Sequence, residues 1–330
     1  MIELIGHATV GSEVRVSMYH FTRVNVAQAF VDASRRGVHV SIILDDQQNG
    51  GDGGEDDDDP VDASSLNPAV QLLQSGLPTG EVTLCTRGNG ACIGNGINHN
   101  KLYLFSALDD GSTNVVVQSS ANLSGNRLHN NLVIVRQDDA LYAGYKSYFS
   151  DLAAQVENLS YYTTVTGDYH TIAYEYPRSD GDTILTILGN VQCTAGVSNI
   201  RVTMAFFTAA RSAIATSLVN LQNQGCDVRV NMREAGLDSD QSIITTLKNG
   251  GVSVGLYPAE HGNDIHSKYL LIDSPYQTTS VSARKLVWTG SHNYTGGALK
   301  NNDETLLRID DGAVFDAFMS NWNAVRSQIP

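Results

Sequence analysis

Apolar and polar positions alternate along EVRVSMYHFT, residues 13–22, and again along NIRVTMAFFT, residues 199–208. A period of two puts alternate side chains on one face, so both segments predict strands. Each is followed by a stretch with helical spacing, NVAQAFVDASRRG in the first half and SAIATSLVNLQNQG in the second. Gly37 and Gly225 stand where those helices stop, as glycine accepts the left-handed conformation common at helix ends. Further strands are predicted at VHVSIILDD and CDVRVNMRE. Strand–helix–strand order implies parallel pairing through right-handed crossovers. The whole order occurs twice. It predicts an α/β fold of two pseudo-symmetric halves, each a mostly parallel β-sheet flanked by helices, stacked as an αβαβα sandwich. The halves are placed at 1–160 and 181–330. Residues 161–180, rich in tyrosine and polar side chains, read as a crossover linker with room for a short hairpin.

The duplication extends to a short polar motif. The first copy is His99-Asn100-Lys101 in GINHNKLYLFS; the second is His266-Ser267-Lys268 in DIHSKYLLID, with Asp273 seven residues after its histidine. Each is followed by a Ser-x-Asn, Ser120-Ala121-Asn122 and Ser291-His292-Asn293. In a strand, His and Lys two apart share one face, and the apolar runs LYLF and YLLI predict a buried continuation.

Two such units facing each other surround one tetrahedral anion with two His, two Lys and two Asn. Imidazole serves as nucleophile or general acid near neutral pH. Lysine is a compact charge suited to phosphate oxygens, and asparagine donates hydrogen bonds without adding charge. That set suits cleavage of a phosphodiester without a metal or cofactor: one His attacks phosphorus, the other protonates the leaving alkoxide, and Lys101, Lys268, Asn122 and Asn293 hold the equatorial oxygens. Taken alone, Asn122 and Asn293 also fit turns.

The motif resembles that of the phospholipase D superfamily, whose mark is a duplicated H-x-K-x(4)-D. The second copy matches in full with His266, Lys268 and Asp273, and GSHNYTGGALKNNDE continues the likeness through Asn293 and Glu304. The first copy has Ser106 where the Asp belongs. The resemblance implies the same two-halved fold, a covalent phosphohistidine intermediate, and supporting roles for Ser120, Ser291 and Asp273. Matching LVIV (132–135) to TLLR (305–308) sets Asn131 opposite Glu304, at the position that orients the histidine ring in that family. The expectation is then that Glu304 pairs with His266, favouring a proton donor, while Asn131 pairs with His99, leaving a neutral nucleophile.

Composition narrows the substrate. The 330-residue chain carries a net charge of −14, which disfavours a grip on long nucleic acid or on strongly anionic membranes. A phospholipid of the phosphatidylcholine kind or another small phosphodiester fits better, with peripheral membrane contact compatible and head-group exchange open to a covalent intermediate. Single-chain duplication predicts a monomer with the site between its halves. Four cysteines lack metal-finger spacing. Cys85–Cys92, across the loop ahead of His99, and Cys193–Cys226 read as disulfides, with four free thiols the alternative. Two bridges and few lysines favour an exported bacterial protein, its signal peptide absent from this chain. The acidic run within 51–60 reads as a solvated loop, with a weak calcium site as the alternative. His292, between Ser291 and Asn293, is within reach of the pocket and His261 of its entrance, with an ordinary structural role the alternative for each. The competing readings are a metal-independent endonuclease and a catalytically impaired phosphate-binding protein.

Overall fold

The alternating segments become the centres of two sheets. In the computed structural model, which describes residues 1–46, 67–125, 129–194, 196–234, 240–258, 264–277 and 283–330, β1 (Glu13–Met18) pairs in parallel with β2 (His39–Asp45), and β2 with β3 (Val82–Cys85). Helices α2 (Val24–Arg35) and α3 (Pro68–Gly76) join them, after a short α1 (Ile2–Gly6). On the other side of β1 lie β4 (Lys101–Ala107), β5 (Thr113–Ser119) and β6 (Leu132–Val135), all antiparallel. The order is β3-β2-β1-β4-β5-β6. The second half repeats it: β9 (Asn199–Met204), α6 (Ser212–Asn223), β10 (Asp227–Arg233), α7 (Gln241–Asn249), β11 (Ser253–Tyr257), β12 (Lys268–Pro275), β13 (Ala283–Gly290) and β14 (Thr305–Asp310), in the order β11-β10-β9-β12-β13-β14.

Two expectations change. The sheets are mixed rather than mostly parallel, because the connections from β4 to β5 and from β5 to β6 hold no crossover helix, and such connections join antiparallel neighbours. The crossover stretch does form the short hairpin it had room for, β7 (Thr163–Thr166) and β8 (Thr171–Glu175), but it is more than a linker, because β8 pairs antiparallel with β14 and extends the second sheet to eight strands. Asp138 fastens it, accepting from the Leu141 amide at the start of α4 (Asp139–Ala154) and from the Thr171 hydroxyl at 2.7 Å.

Packing builds five layers. Val26, Phe30 and Val31 of α2 and Leu73 of α3 cover the outer face of the first sheet. Ile214 and Leu218 of α6, with Ile243, Ile244 and Leu247 of α7, cover the second. Between the sheets lie α4 and α9 (Gly312–Ser327), whose Tyr145, Tyr148, Phe315, Phe318 and Trp322 pack against Leu102, Leu104, Leu271, Val287 and Leu307. Burial on both faces explains why LYLF and YLLI are continuous apolar runs. Each fully buried Leu or Phe contributes roughly 1.5–3 kcal/mol. Gly37 (φ +95°) and Gly225 (φ +98°) terminate α2 and α6 as expected. Both expected cysteine pairs are bridged, Cys85–Cys92 and Cys193–Cys226. Among the described residues no helix is long and apolar enough to cross a membrane.

Glu175, at the end of β8, is buried in the middle layer near Tyr145, Tyr148, Tyr161 and Asp151. Burial, with Asp151 adding to it, pushes its carboxyl up to about 8. The folded state therefore holds a proton that the unfolded chain releases above the usual carboxylate range. Stability from this group is full at acid pH and lost as pH rises towards 8, by about 1 kcal/mol per pH unit. Denaturant midpoints between pH 5 and 9 should show that decline in the wild type and a shallower one in Glu175→Gln.

Candidate active site

Because β4 and β12 run antiparallel to β1 and β9, their first residues sit beside the last residues of those strands: Lys101 opposite Met18 and Lys268 opposite Met204. The two His-x-Lys units thus open at corresponding edges of the two sheets. His99, Lys101, His266 and Lys268 are each at most 2% exposed. Each lysine Nζ donates to the carbonyl of its own motif histidine, at 2.8 Å for Lys101 and 3.0 Å for Lys268. Tyr19 lies edge-on to His99 and under the Lys101 ammonium, 5.1 Å from its ring centroid.

The histidine partners cross between the halves. His99 Nδ1 lies 2.9 and 3.0 Å from the two Glu304 oxygens, and His266 Nδ1 lies 2.8 Å from Asn130 Oδ1. The expected pairs, Glu304 with His266 and Asn131 with His99, are not formed. The backbone shows why. The strand lead-in at Asp303 runs parallel to Asn98, with His99 N donating to Asp303 O, and His129 runs parallel to Ile265, with His266 N donating to His129 O. Each half hands its polar residue to the other half's histidine.

The register differs from expectation by one residue as well. Ser120 N donates to Asn131 O and Ser291 N to Thr305 O, so Asn131 corresponds to Thr305 and Asn130 to Glu304. Matching LVIV to LLRI (306–309) aligns three apolar positions of four, against two for TLLR; that count was the available signal for Asn130. Asn131 sits at the seam instead, its amide bonded to the Thr289 hydroxyl, while Thr305 Oγ1 donates to Gln118 Oε1 at 2.8 Å.

The Ser-x-Asn segments support these pairs. Ser291 Oγ donates to Glu304, and Ser120 Oγ donates to Asn130 Oδ1 at 2.9 Å. Asn293 Oδ1 accepts from the Phe206 amide at 3.3 Å. Asn122 is half-buried, its Oδ1 without a partner among the described residues, and with Asn130, Arg23, Leu123 and Ser124 it lines an open groove of about 470 Å³. Asp303 accepts from the amides of Cys92, Ile93 and Gly94, pinning the bridged loop beside His99. Burial pushes its carboxyl up to about 7 against those three hydrogen bonds. Arg211, not foreseen, pairs with Asp182 and braces the Asn293 carbonyl.

Asp273 and Ser106 lie apart from this cluster. Asp273 sits opposite Asn199, roughly 20 Å along the strand from His266, and Ser106 Oγ accepts from the Glu13 amide at 2.8 Å. Both occupy the far end of the sheet, so the Ser106 departure leaves the cleft unaltered. His292 is buried with its ring 4.3 Å from that of Tyr176, and burial, with Arg211 and His99 nearby, holds it well below the usual imidazole range and hence neutral. His261 and the acidic run 52–59 lie outside the described residues.

A family model described as "Cardiolipin synthase, PLD-like domain" matches residues 1–153 and 192–325. The chain belongs to the phospholipase D superfamily. A phospholipase D of Rickettsia felis is 29% identical over 119 residues, 36% of this chain and 54% of that one. The chain thus spans about half the length of that relative. Among solved structures, a phosphatidylserine synthase of Haemophilus influenzae superposes with a TM-score of 0.64 at 12% identity, covering 99% of this chain and 82% of its own. A polyphosphate kinase of Porphyromonas gingivalis gives 0.59 at 12% identity, covering 98% and 47%. These superpositions show that the chain shares its fold with both proteins.

The crossed pairing predicts a contrast between neighbours. Asn130→Ala should lower kcat on bis-(p-nitrophenyl) phosphate about 10- to 100-fold, the usual cost of losing a partner that orients a functional imidazole. Asn131→Ala should keep kcat within a few-fold and lower the melting temperature. A kcat loss in Asn131→Ala with Asn130→Ala spared would restore the pairing expected from the sequence.

Proposed function

We propose that this protein is a metal-independent phosphodiesterase of phospholipase D type, acting through a phosphohistidine on His99. The observation that carries the reading is the convergence of both His-x-Lys units on one buried seam, each imidazole oriented through Nδ1 by the opposite half. With Nδ1–H donated to Glu304, His99 presents the Nε2 lone pair, and the carboxylate raises its basicity and nucleophilicity. His266, its Nδ1 held by the Asn130 amide oxygen, gains and loses its proton at Nε2. His99 is therefore still the nucleophile, on grounds opposite to those expected from the sequence.

In the first step Nε2 of His99 bonds to phosphorus, the bond to the leaving oxygen breaks, and protonated His266 gives that oxygen its proton. In the second, water loses a proton to neutral His266 and attacks phosphorus, and the P–N bond breaks. An alcohol in place of water gives head-group exchange. Lys101, Lys268, Asn122 and Asn293 hold the equatorial oxygens. The substrate favoured is a phospholipid cleaved on its head-group side, or a small diester of the same chemistry. Supporting this, the groove past Asn122 mixes polar groups, Arg23 and Asn130 among them, with apolar ones, and Ile2, 44% exposed, lines it as an apolar contact for a lipid surface. Two disulfides fit a protein exported to an oxidising compartment.

The test uses EDTA-treated protein on phosphatidylcholine micelles and single-stranded DNA in parallel. Choline release should persist in EDTA and fall at least 10³-fold in His99→Ala, and alkali-quenched wild-type turnover should trap the phosphatidyl group on His99. DNA fragments without choline release would replace the lipid with a nucleic acid, and label on His266 in the wild type would reverse the roles.

A further inference from the structure

Away from the seam, the outer face of the second sheet holds a cavity of about 300 Å³ between α5 (Thr183–Gly189) and strands β8 and β14. Tyr162, Tyr174 and Tyr276 wall it, and Arg178 and Arg308 contribute two guanidinium groups. Arg308 is 9% exposed, and its Nε has no hydrogen-bond partner among the described residues. The Asp310 carboxylate lies 3.9 Å from its Nη2 but is gripped by Arg284. Arg178 stacks over the Tyr162 ring at 4.1 Å and spends its hydrogen bonds on the Asp180 carbonyl and the Thr183 hydroxyl, both uncharged. Two cations at one hollow, with little of their charge answered by carboxylates, are unusual in a chain with 35 acidic and 21 basic residues.

The duplication supplies an internal control. The registers of β5 with β6 and of β13 with β14 make Ile134 the counterpart of Arg308 and Val117 the counterpart of Trp288. The corresponding hollow of the first half, under α1, is lined by Val117, Leu132 and Ile134, with the exposed Arg136 at its rim already answered by Asp110, and among the described residues no strand pairs with β6 on its outer edge. A depression common to both halves has thus gained a buried guanidinium and, from the β7–β8 hairpin, an aromatic wall. Burying an unmatched arginine costs stability unless an anion answers it, and aromatic faces beside guanidinium groups accept flat rings.

We propose that this pocket binds a small phosphate monoester carrying a planar ring, its phosphate on Arg308 and Arg178 and its ring against the tyrosines. The volume suits a ligand of that size.

Trp288 packs on Tyr276 at 5.6 Å between ring centroids, so its fluorescence reports on occupancy. The full chain would be titrated with phenyl phosphate, inorganic phosphate and benzoate. A saturable change with phenyl phosphate is expected, weakened at least tenfold in Arg308→Ile, which installs the first half's residue, and in Arg178→Ala, whose side chain is only half-buried. Lys268→Ala, altered in the catalytic cleft, should bind as the wild type does. Unchanged affinity in both arginine variants, or loss in Lys268→Ala, would overturn the site. Inorganic phosphate binding as tightly as phenyl phosphate would remove the ring from the proposal, and tighter benzoate binding would remove the phosphate.

Discussion

Everything in the cleft hangs on a hydrogen bond that each half cannot make alone. His99 needs the Glu304 carboxylate and His266 needs the Asn130 amide, and in both cases the partner enters on a strand lead-in from the opposite sheet. A ring nitrogen buried without such a partner costs about 1–3 kcal/mol and leaves the tautomer undefined. Burial of α4 and α9 between the sheets is therefore more than packing. It fixes the separation at which two serines, Ser120 and Ser291, hold the crossing side chains in line.

That arrangement separates duties that the motif lists together. The His-x-Lys units and the Ser-x-Asn segments lie at the seam, whereas Asp273 and Ser106 finish the far ends of their strands. Losing a carboxylate at one of two remote positions is tolerable because Ser106 still satisfies a backbone amide. At the seam the same loss would strand a buried imidazole.

Much of this was legible in the chain. The repeated alternation, the helix-ending glycines, both cysteine pairs and the two motifs all carry local signals, set by periodicity or residue chemistry. Contacts between halves carry none. Nothing in LVIV or TLLR states that β14 leads in beside His99, so matching within each half gave the wrong partners, and Arg308 among apolar residues disguised the register. The direction of β4 was equally hidden, since an apolar run reads alike in parallel and antiparallel neighbours. That the β7–β8 hairpin joins the second sheet escaped because polar alternation at a sheet edge resembles a linker.

The crossed pairs are also unequal, a carboxylate on one side and an amide on the other. Two identical chains related by a twofold axis could not hold that difference, because every substitution would appear at both positions at once. Covalent fusion lifts the constraint. Once both copies share one polypeptide, each crossing residue answers to a single histidine and can drift towards a single duty. A longer chain, with an extra hairpin sealing one edge, thus gains a freedom: its two imidazoles keep different partners because they belong to one molecule rather than two.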